Sequence, residues 1–208
     1  MSESFGSIAH TKSGELSYVV EHCEVQTTDV ADFIMREKCN LLCKEGCANY
    51  SRKWSCPPFS PSYQDYSANY EKLTILYMRI NLSQFSYIKN DYLKIRAANT
   101  ILKSRIDAFL RQMAMQYRKP ISTGSCRLCK PCKRKLESPC AHPTKMAFSF
   151  ESLGVDVCAM VNKFFTTPLL WYKPHILPEY TSVVGGLLTN RPLSNEEICE
   201  KYHFYIER

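Results

Sequence analysis

Long uncharged apolar segments are missing from this chain of 208 residues. The most apolar segment, residues 73–82, is interrupted by Arg79, and residues 1–15 contain no apolar core of a secretory signal. We therefore expect neither a membrane span nor an export signal, and we expect the protein to lie in the cytoplasm. Disulfides are rare in that compartment, so clustered cysteines there are more often metal ligands.

The motifs of several large enzyme classes are missing as well. The chain has seven glycines, and none of them forms a glycine-rich phosphate loop or a nucleophile elbow. Its five histidines are scattered, without the His-Glu-x-x-His pattern of zinc proteases. These absences argue against familiar nucleotide-binding, hydrolase and protease sites, and they leave open whether the protein is an enzyme.

Cysteine, in contrast, is abundant. The chain has eleven cysteines, and eight of them fall into two groups of four. The groups are Cys39, Cys43, Cys47 and Cys56, and Cys126, Cys129, Cys132 and Cys140. Four thiolates in a short segment are the ligand set of a tetrahedral metal ion or of a cubane iron–sulfur cluster. The sequence predicts two metal-binding lobes, at about 39–58 and 124–143, within one domain that spans residues 1–208.

The second group favours an iron–sulfur cluster. The spacing Cys126-x2-Cys129-x2-Cys132 is the one by which ferredoxin-type proteins hold three corners of a [4Fe-4S] cubane. Ferredoxins place the fourth cysteine three residues later, whereas here Cys140 follows after seven residues. Zinc is the alternative, although zinc sites usually take two ligands from each of two separate hooks.

The first group has a looser spacing. Cys39, Cys43 and Cys47 are four residues apart, which would place them on one face of a helix. Cys56 is followed by two prolines, as in cluster-closing Cys-Pro turns. Two alternatives to Cys39 stay open at this point: Cys23 could take its place, or one iron could remain open to a substrate. We expect the three cysteines outside the two groups, Cys23, Cys158 and Cys199, to be buried, inert thiols.

The net charge of +7 is concentrated in one part of the chain. Residues 111–145 contain nine Lys and Arg but only one acid, Glu137. We favour the interpretation that these cations compensate the negative charge of a cluster or dock an acidic redox partner protein. A nucleic-acid surface is the less favoured alternative.

The apolar patterns predict an α/β (α+β) fold, with a mixed central sheet flanked by helices. Strands are expected at 16–20, 73–80 and 182–188, with the apolar segment 73–80 in the centre of the sheet, and helices at about 91–118, 155–165 and 195–203. The longest of these helices is predicted to bury an apolar stripe of Tyr92, Ile95, Leu102, Ile106, Phe109, Met113 and Tyr117. Residues 1–13 are predicted to be a frayed terminus, and residues 148–153 a short helix.

The order of these motifs resembles that of a known family. The motifs are Cys43-x3-Cys47-x2-Tyr50-x3-Trp54-x-Cys56-Pro57-Pro58, the second cysteine group with His142-Pro143, and Glu151-x2-Gly154-Val155-Asp156-Val157. They are similar to a family of small, cysteine-rich prokaryotic proteins described only as predicted metal-binding, a domain of unknown function. The resemblance implies two metal sites and supplies no reaction.

Three functions follow from these patterns. The first is an iron–sulfur protein with two [4Fe-4S] clusters that transfers electrons or serves as a redox subunit. The second is an iron–sulfur enzyme with an open iron, suited to sulfur transfer or a reductive modification. The third is a zinc-stabilised module that binds RNA or protein through the basic segment.

Overall fold

The computed structural model describes residues 2–114, 118–173 and 176–206. Its centre is a six-stranded sheet with the strand order β1-β2-β3-β6-β4-β5. The strands are β1 (Glu3–Thr11), β2 (Gly14–Gln26), β3 (Lys72–Asn81), β4 (Lys119–Ser122), β5 (Phe148–Ser149) and β6 (Tyr180–Thr189). All neighbouring pairs are antiparallel except β4 and β5, which are parallel. The predicted mixed sheet is therefore confirmed.

Helices lie on both faces of this sheet. They are α1 (Arg36–Gly46), α2 (Tyr63–Ser67), α3 (Asp91–Met113), α4 (Val157–Phe164) and α5 (Asn195–Ile206). Short 3-10 segments add turns at Thr27–Phe33, Leu82–Phe85, Lys133–Leu136 and Pro143–Lys145. In the part of the chain that the structure describes, none of the helices combines the length and the apolar character needed to span a membrane.

The sheet separates two hydrophobic cores. On one face α3 and α5 pack against β2, β3 and β6, with residues such as Met78, Ile106 and Tyr202 almost fully buried. On the other face Tyr63, Phe150 and Met160 pack against the strands together with α4. The strand β3 contributes to both cores, as expected for the central and most apolar strand of the chain.

Two local predictions were wrong. Residues 3–11 are not frayed but form β1, which pairs along its whole length with β2 in a hairpin. Its polar composition hid an alternating pattern in which Ser7 and Ala9 point inward. Residues 148–153 form the short strand β5 followed by turns rather than a helix, because Phe148 and Ser149 pair with β4.

The longest helix begins where it was predicted and is shorter at its end. The side chain of Asn90 caps it by accepting a hydrogen bond from the backbone N–H of Leu93, at 3.0 Å. The predicted apolar stripe is buried at Ile95, Leu102, Ile106, Phe109 and Met113, whereas Tyr92, which the pattern also assigned to it, is exposed. Tyr117, the last residue assigned to this stripe, lies outside the described residues.

A pair of glycines lets helix α3 and the second core approach β6 from opposite faces. A Cβ atom at Gly185 would lie 2.9 Å from Leu110 Cδ1 and 3.1 Å from the carbonyl oxygen of Ile121. A Cβ atom at Gly186 would lie 3.0 Å from Leu73 Cδ1 and from Phe150 Cζ. The contact at Gly185 is shorter than Cβ atoms show in packed proteins, and the contacts at Gly186 are tighter than most, so both positions favour glycine for close approach.

We expect Gly185→Ala to destabilise the protein by about 1–3 kcal/mol, because the added methyl group overpacks the contact between α3 and β6. Gly6→Ala is the matched control, since a Cβ atom at Gly6 of the edge strand β1 meets no atom within 4 Å. Chemical denaturation of both variants measures the difference. Equal stability of the two variants would contradict this account.

Candidate metal centre

Helix α1 positions three cysteines of the first group. Cys39 and Cys43 lie one turn apart on the helix, and Cys47 ends it, with its N–H donating to the carbonyl of Cys43 at 3.1 Å. Cys39 is buried, Cys43 is half-buried and Cys47 is exposed. The predicted helical face is thus confirmed, and it runs from the protein interior to the surface.

The fourth cysteine is supplied by the loop that follows α1. Residues 47–59 form a series of tight turns, and the N–H of Ser51 reaches across to the carbonyl of Pro57 at 2.9 Å. Ser51 has a positive φ of 53°, and the Pro57-Pro58 peptide bond is cis. The loop returns the chain to α1, so that the buried Cys56 lies beside the helix.

Arg36 fixes the orientation of α1. Its guanidinium donates to the carbonyl oxygens of Ser60 at 2.6 Å, Pro61 at 2.6 Å and Ser152 at 2.9 Å. Its side chain lies against Gly154, where a Cβ atom would come within 2.7 Å of Arg36 Cδ and where φ is +91°. One side chain therefore joins the helix, the segment after Cys56 and the turn at 149–154.

A single cavity of about 940 Å³ is lined by all four cysteines of the first group. The turn at 149–156 forms another wall, to which α1 is attached by an ion pair of 2.8 Å between Lys38 and Asp156. Lys103 of α3 also lines the cavity, as do Thr123, Gly124, Ser125 and Arg127. The structure thus brings the first predicted ligand set together in one place.

Burial raises the pKa of three of these thiols, those of Cys39, Cys43 and Cys56, and so favours their protonated form. Burial raises the pKa of Cys39 to about 11, with a further rise from the carboxylates of Asp156 and Glu151. Burial also raises the pKa of Cys56 to about 11, and it raises the pKa of Cys43. Neighbouring cysteines of the group add to the rise in each case. Binding of a metal as thiolates must therefore release protons, which favours loading at higher pH.

Two cysteines outside the groups need separate comment. Cys23 is buried in the second core and does not line the cavity. It therefore does not take the place of Cys39 among the cysteines of the first group. Cys158 was predicted to be an inert buried thiol, but it is half-buried and lines the cavity. The indole N–H of Trp171 donates to its sulfur at 3.2 Å. Sequence spacing gave no sign of Cys158, because it is reached only through the fold.

The second group lies in a lobe inserted between β4 and β5. All four of its cysteines are half-buried. The lobe is built from turns: the N–H of Lys135 donates to the carbonyl of Cys132 at 3.0 Å, and Glu137 adopts a left-handed φ of 53°. The sulfur of Cys140 accepts a hydrogen bond from the N–H of His142 at 3.4 Å, and His142 itself is exposed.

The two lobes are in direct contact. The N–H of Cys126 donates to the hydroxyl of Ser55, the neighbour of Cys56, at 2.9 Å. The indole N–H of Trp54 donates to the carbonyl of Ser138 at 2.9 Å, and Arg134 lies over the rings of Trp54 and Phe59. Lys53 adds a hydrogen bond of 3.0 Å to the carbonyl of Cys126. The residues between Cys47 and Cys56 are thus the platform for the second lobe.

The donor set fits a thiolate-bound metal group. Among the described residues, no three His, Cys, Asp or Glu side chains are grouped so as to hold a single metal ion. A cubane makes a different demand, because each cysteine binds a different iron and the sulfurs surround a wider volume. Cys39, Cys43, Cys47 and Cys56 all line one cavity, and their thiolates are donors of the type that iron–sulfur clusters and zinc both take.

Comparison with known proteins agrees with these observations. The chain belongs to the family described as predicted metal-binding protein (DUF2284), whose model matches residues 26–188. The match spans both cysteine groups and the turn at 149–156. No curated protein and no solved structure matches the chain. The family resemblance seen in the motifs is confirmed, and metal binding is the property that it carries.

We expect Arg36→Met to destabilise the protein by about 2–4 kcal/mol, because three carbonyl oxygens lose a charged donor. The variant should also bind less metal, since the position of α1 depends on this side chain. Metal analysis and thermal unfolding measure both effects. Lys44→Met is the control, because Lys44 is an exposed cation on the same helix. The account would be wrong if both variants behaved alike.

Proposed function

We propose that this protein holds two [4Fe-4S] clusters and acts in electron transfer or as a redox subunit. Cys39, Cys43, Cys47 and Cys56 would hold one cluster, and the second group, Cys126, Cys129, Cys132 and Cys140, would hold the other. The observation that carries the proposal is the cavity lined by all four cysteines of the first group. The chemistry that such clusters supply is one-electron transfer.

The contact between the lobes supports this proposal. The N–H of Cys126 donates to the hydroxyl of Ser55, which is the residue next to Cys56 in the chain. The rings of Trp54 and Phe59 pack edge to face, with centroids 5.0 Å apart, and would shield a nearby cluster from water. Contact between the two lobes would suit electron transfer between two redox groups. Two independent structural sites would not need such a contact.

A second candidate function is an iron–sulfur enzyme with an open iron. The size of the cavity favours it, because the atoms of one cubane fill only a minor part of about 940 Å³. Volumes of this order are typical of sites for small molecules. The half-buried Cys158 and the indole of Trp171 line the remaining space.

A protein that transfers electrons needs a redox partner, and we propose that this partner is an acidic protein of the cytoplasm. The exposed cations of the second lobe, Lys130, Lys133 and Lys135, would dock an acidic redox partner in the cytoplasm. A zinc-stabilised module that binds nucleic acid through the same cations is the alternative, and its binding would weaken steeply with salt.

Protein purified without oxygen should contain about eight iron and eight acid-labile sulfide per chain. Reduction with dithionite should then give an EPR signal from reduced clusters. Metal and sulfide analysis is the decisive measurement. About two zinc and no sulfide per chain would overturn the proposal and favour structural sites.

Cys39→Ser should reduce the iron content to about half, because the first group would lose a ligand. Cys158→Ser and the control Cys199→Ser should retain all the iron, since neither residue belongs to the proposed ligand sets. Iron analysis and EPR compare the three variants. Retention in Cys39→Ser together with loss in Cys158→Ser would assign the ligand to Cys158 instead.

A further inference from the structure

Two cations of the cysteine-lined cavity have no partner in the described part of the chain. Three cationic side chains line the cavity, namely Lys38, Lys103 and Arg127. Lys38 is paired with Asp156 at 2.8 Å. Among residues 2–114, 118–173 and 176–206, the side chains of Lys103 and Arg127 form no hydrogen bond and no ion pair.

The fold holds Lys103 in place. It lies on α3, one turn before Asp107, whose carboxylate accepts hydrogen bonds from the hydroxyls of Ser122 at 2.9 Å and Thr123 at 3.3 Å. These bonds attach the helix to the start of the second lobe, which carries Arg127. The contact of Asp107 with Ser122 and Thr123 therefore places Lys103 and Arg127 beside the same cavity, although neither cation takes part in that contact.

This arrangement is electrostatically unfavourable without a ligand. Burial lowers the pKa of Lys103, and the charge of Arg127 lowers it further, more than Glu151 or Asp107 raises it. Glu151 lines the cavity as well, but it is exposed and forms no ion pair with Lys103 among the described residues. A half-buried lysine beside a like charge in a cavity, here Lys103 beside the exposed Arg127, is typical of a functional site.

We propose that Lys103 and Arg127 bind a small anion with carboxylate or phosphate oxygens inside the cysteine-lined cavity. An ammonium and a guanidinium together suit such oxygens, because both form charge-assisted hydrogen bonds with them. Thr123 lines the cavity as well, but its hydroxyl donates to Asp107 and is not counted among the anion's donors. The cysteines come from α1, its loop and α4, whereas the cations come from α3 and residues 123–127, so the anion would lie beside the thiolate group.

This inference rests on the proposed function, since it names the class of substrate that the open part of the cavity would take. It also gives the two cations a role beyond compensation of the cluster charge. If compensation were their only role, the loaded protein would bind no added anion.

The test is calorimetric titration of the anaerobically purified chain, at constant ionic strength, with malonate and with inorganic phosphate. Malonamide serves as the neutral analogue of malonate. We expect binding of at least one anion and no binding of malonamide. Preference for malonate would identify a carboxylate ligand, and preference for phosphate would identify a ligand with a phosphate group.

Lys103→Met should weaken the binding about tenfold or more, since the charge-assisted hydrogen bonds of the ammonium are lost. Arg127→Gln should also weaken it, and Lys103→Arg should retain most of it. Lys12→Met is the control, because it removes the same charge from the exposed hairpin between β1 and β2. Circular dichroism establishes that each variant is folded.

The outcomes separate the two proposals, because iron is measured on every sample. If the wild-type chain retained its iron but bound neither anion, or if Lys103→Met bound as well as wild type, the anion site would be refuted and the clusters would stand. If the chain bound the anion through Lys103 but contained no iron, the anion site would stand and the cluster proposal would fall.

Discussion

The anchoring of helix α1 by Arg36 is the interaction on which the candidate site depends. Helix α1 carries three of the four cysteines of the first group, yet its exposed Leu41 and Leu42 show that it is not held by a broad apolar face. Arg36 instead places its guanidinium among three carbonyl oxygens and lies against Gly154. A lysine would lack the planar set of donors that reaches several oxygens at once. The position of the cysteines thus depends on a polar contact with the turn at 149–156.

The turn at 149–156 brings residues that are far from α1 in the sequence to the cavity that α1 lines. Gly154, Asp156 and Cys158 lie more than ninety residues after Cys56, yet they line the cavity or hold the helix that forms it. Gly154 has to be small and left-handed, and Asp156 both pairs with Lys38 and caps α4 through the N–H of Ala159. The second core below supports the turn through Phe150 and Val155. The candidate metal centre is therefore built on the sheet, although its candidate ligands lie outside it.

The sequence predicted what depends on local spacing and missed what depends on the fold. The helical face of Cys39, Cys43 and Cys47 follows from their spacing, and the central position of β3 follows from its apolar, β-rich composition. Both are confirmed. The strand β1 was missed because its inward residues are small or polar, and Ser7 gives no apolar signal. Cys158 and Lys103 were missed for another reason. Neither has a partner nearby in sequence, and only the packing of α3 and α4 brings them to the cavity.

The second lobe shows how a segment with little apolar core can still be placed. It lies between two short paired strands and has few buried residues of its own, so its position depends on the first lobe. Lys53, Trp54 and Ser55 all bond to it from the segment between Cys47 and Cys56. Any change in that segment on metal binding at the first site would reach the second site directly, because the bonds join the same backbone that carries the ligands. The two cysteine groups are therefore joined by the hydrogen bonds of one short loop, so that the place of the second lobe depends on the loop that carries Cys56.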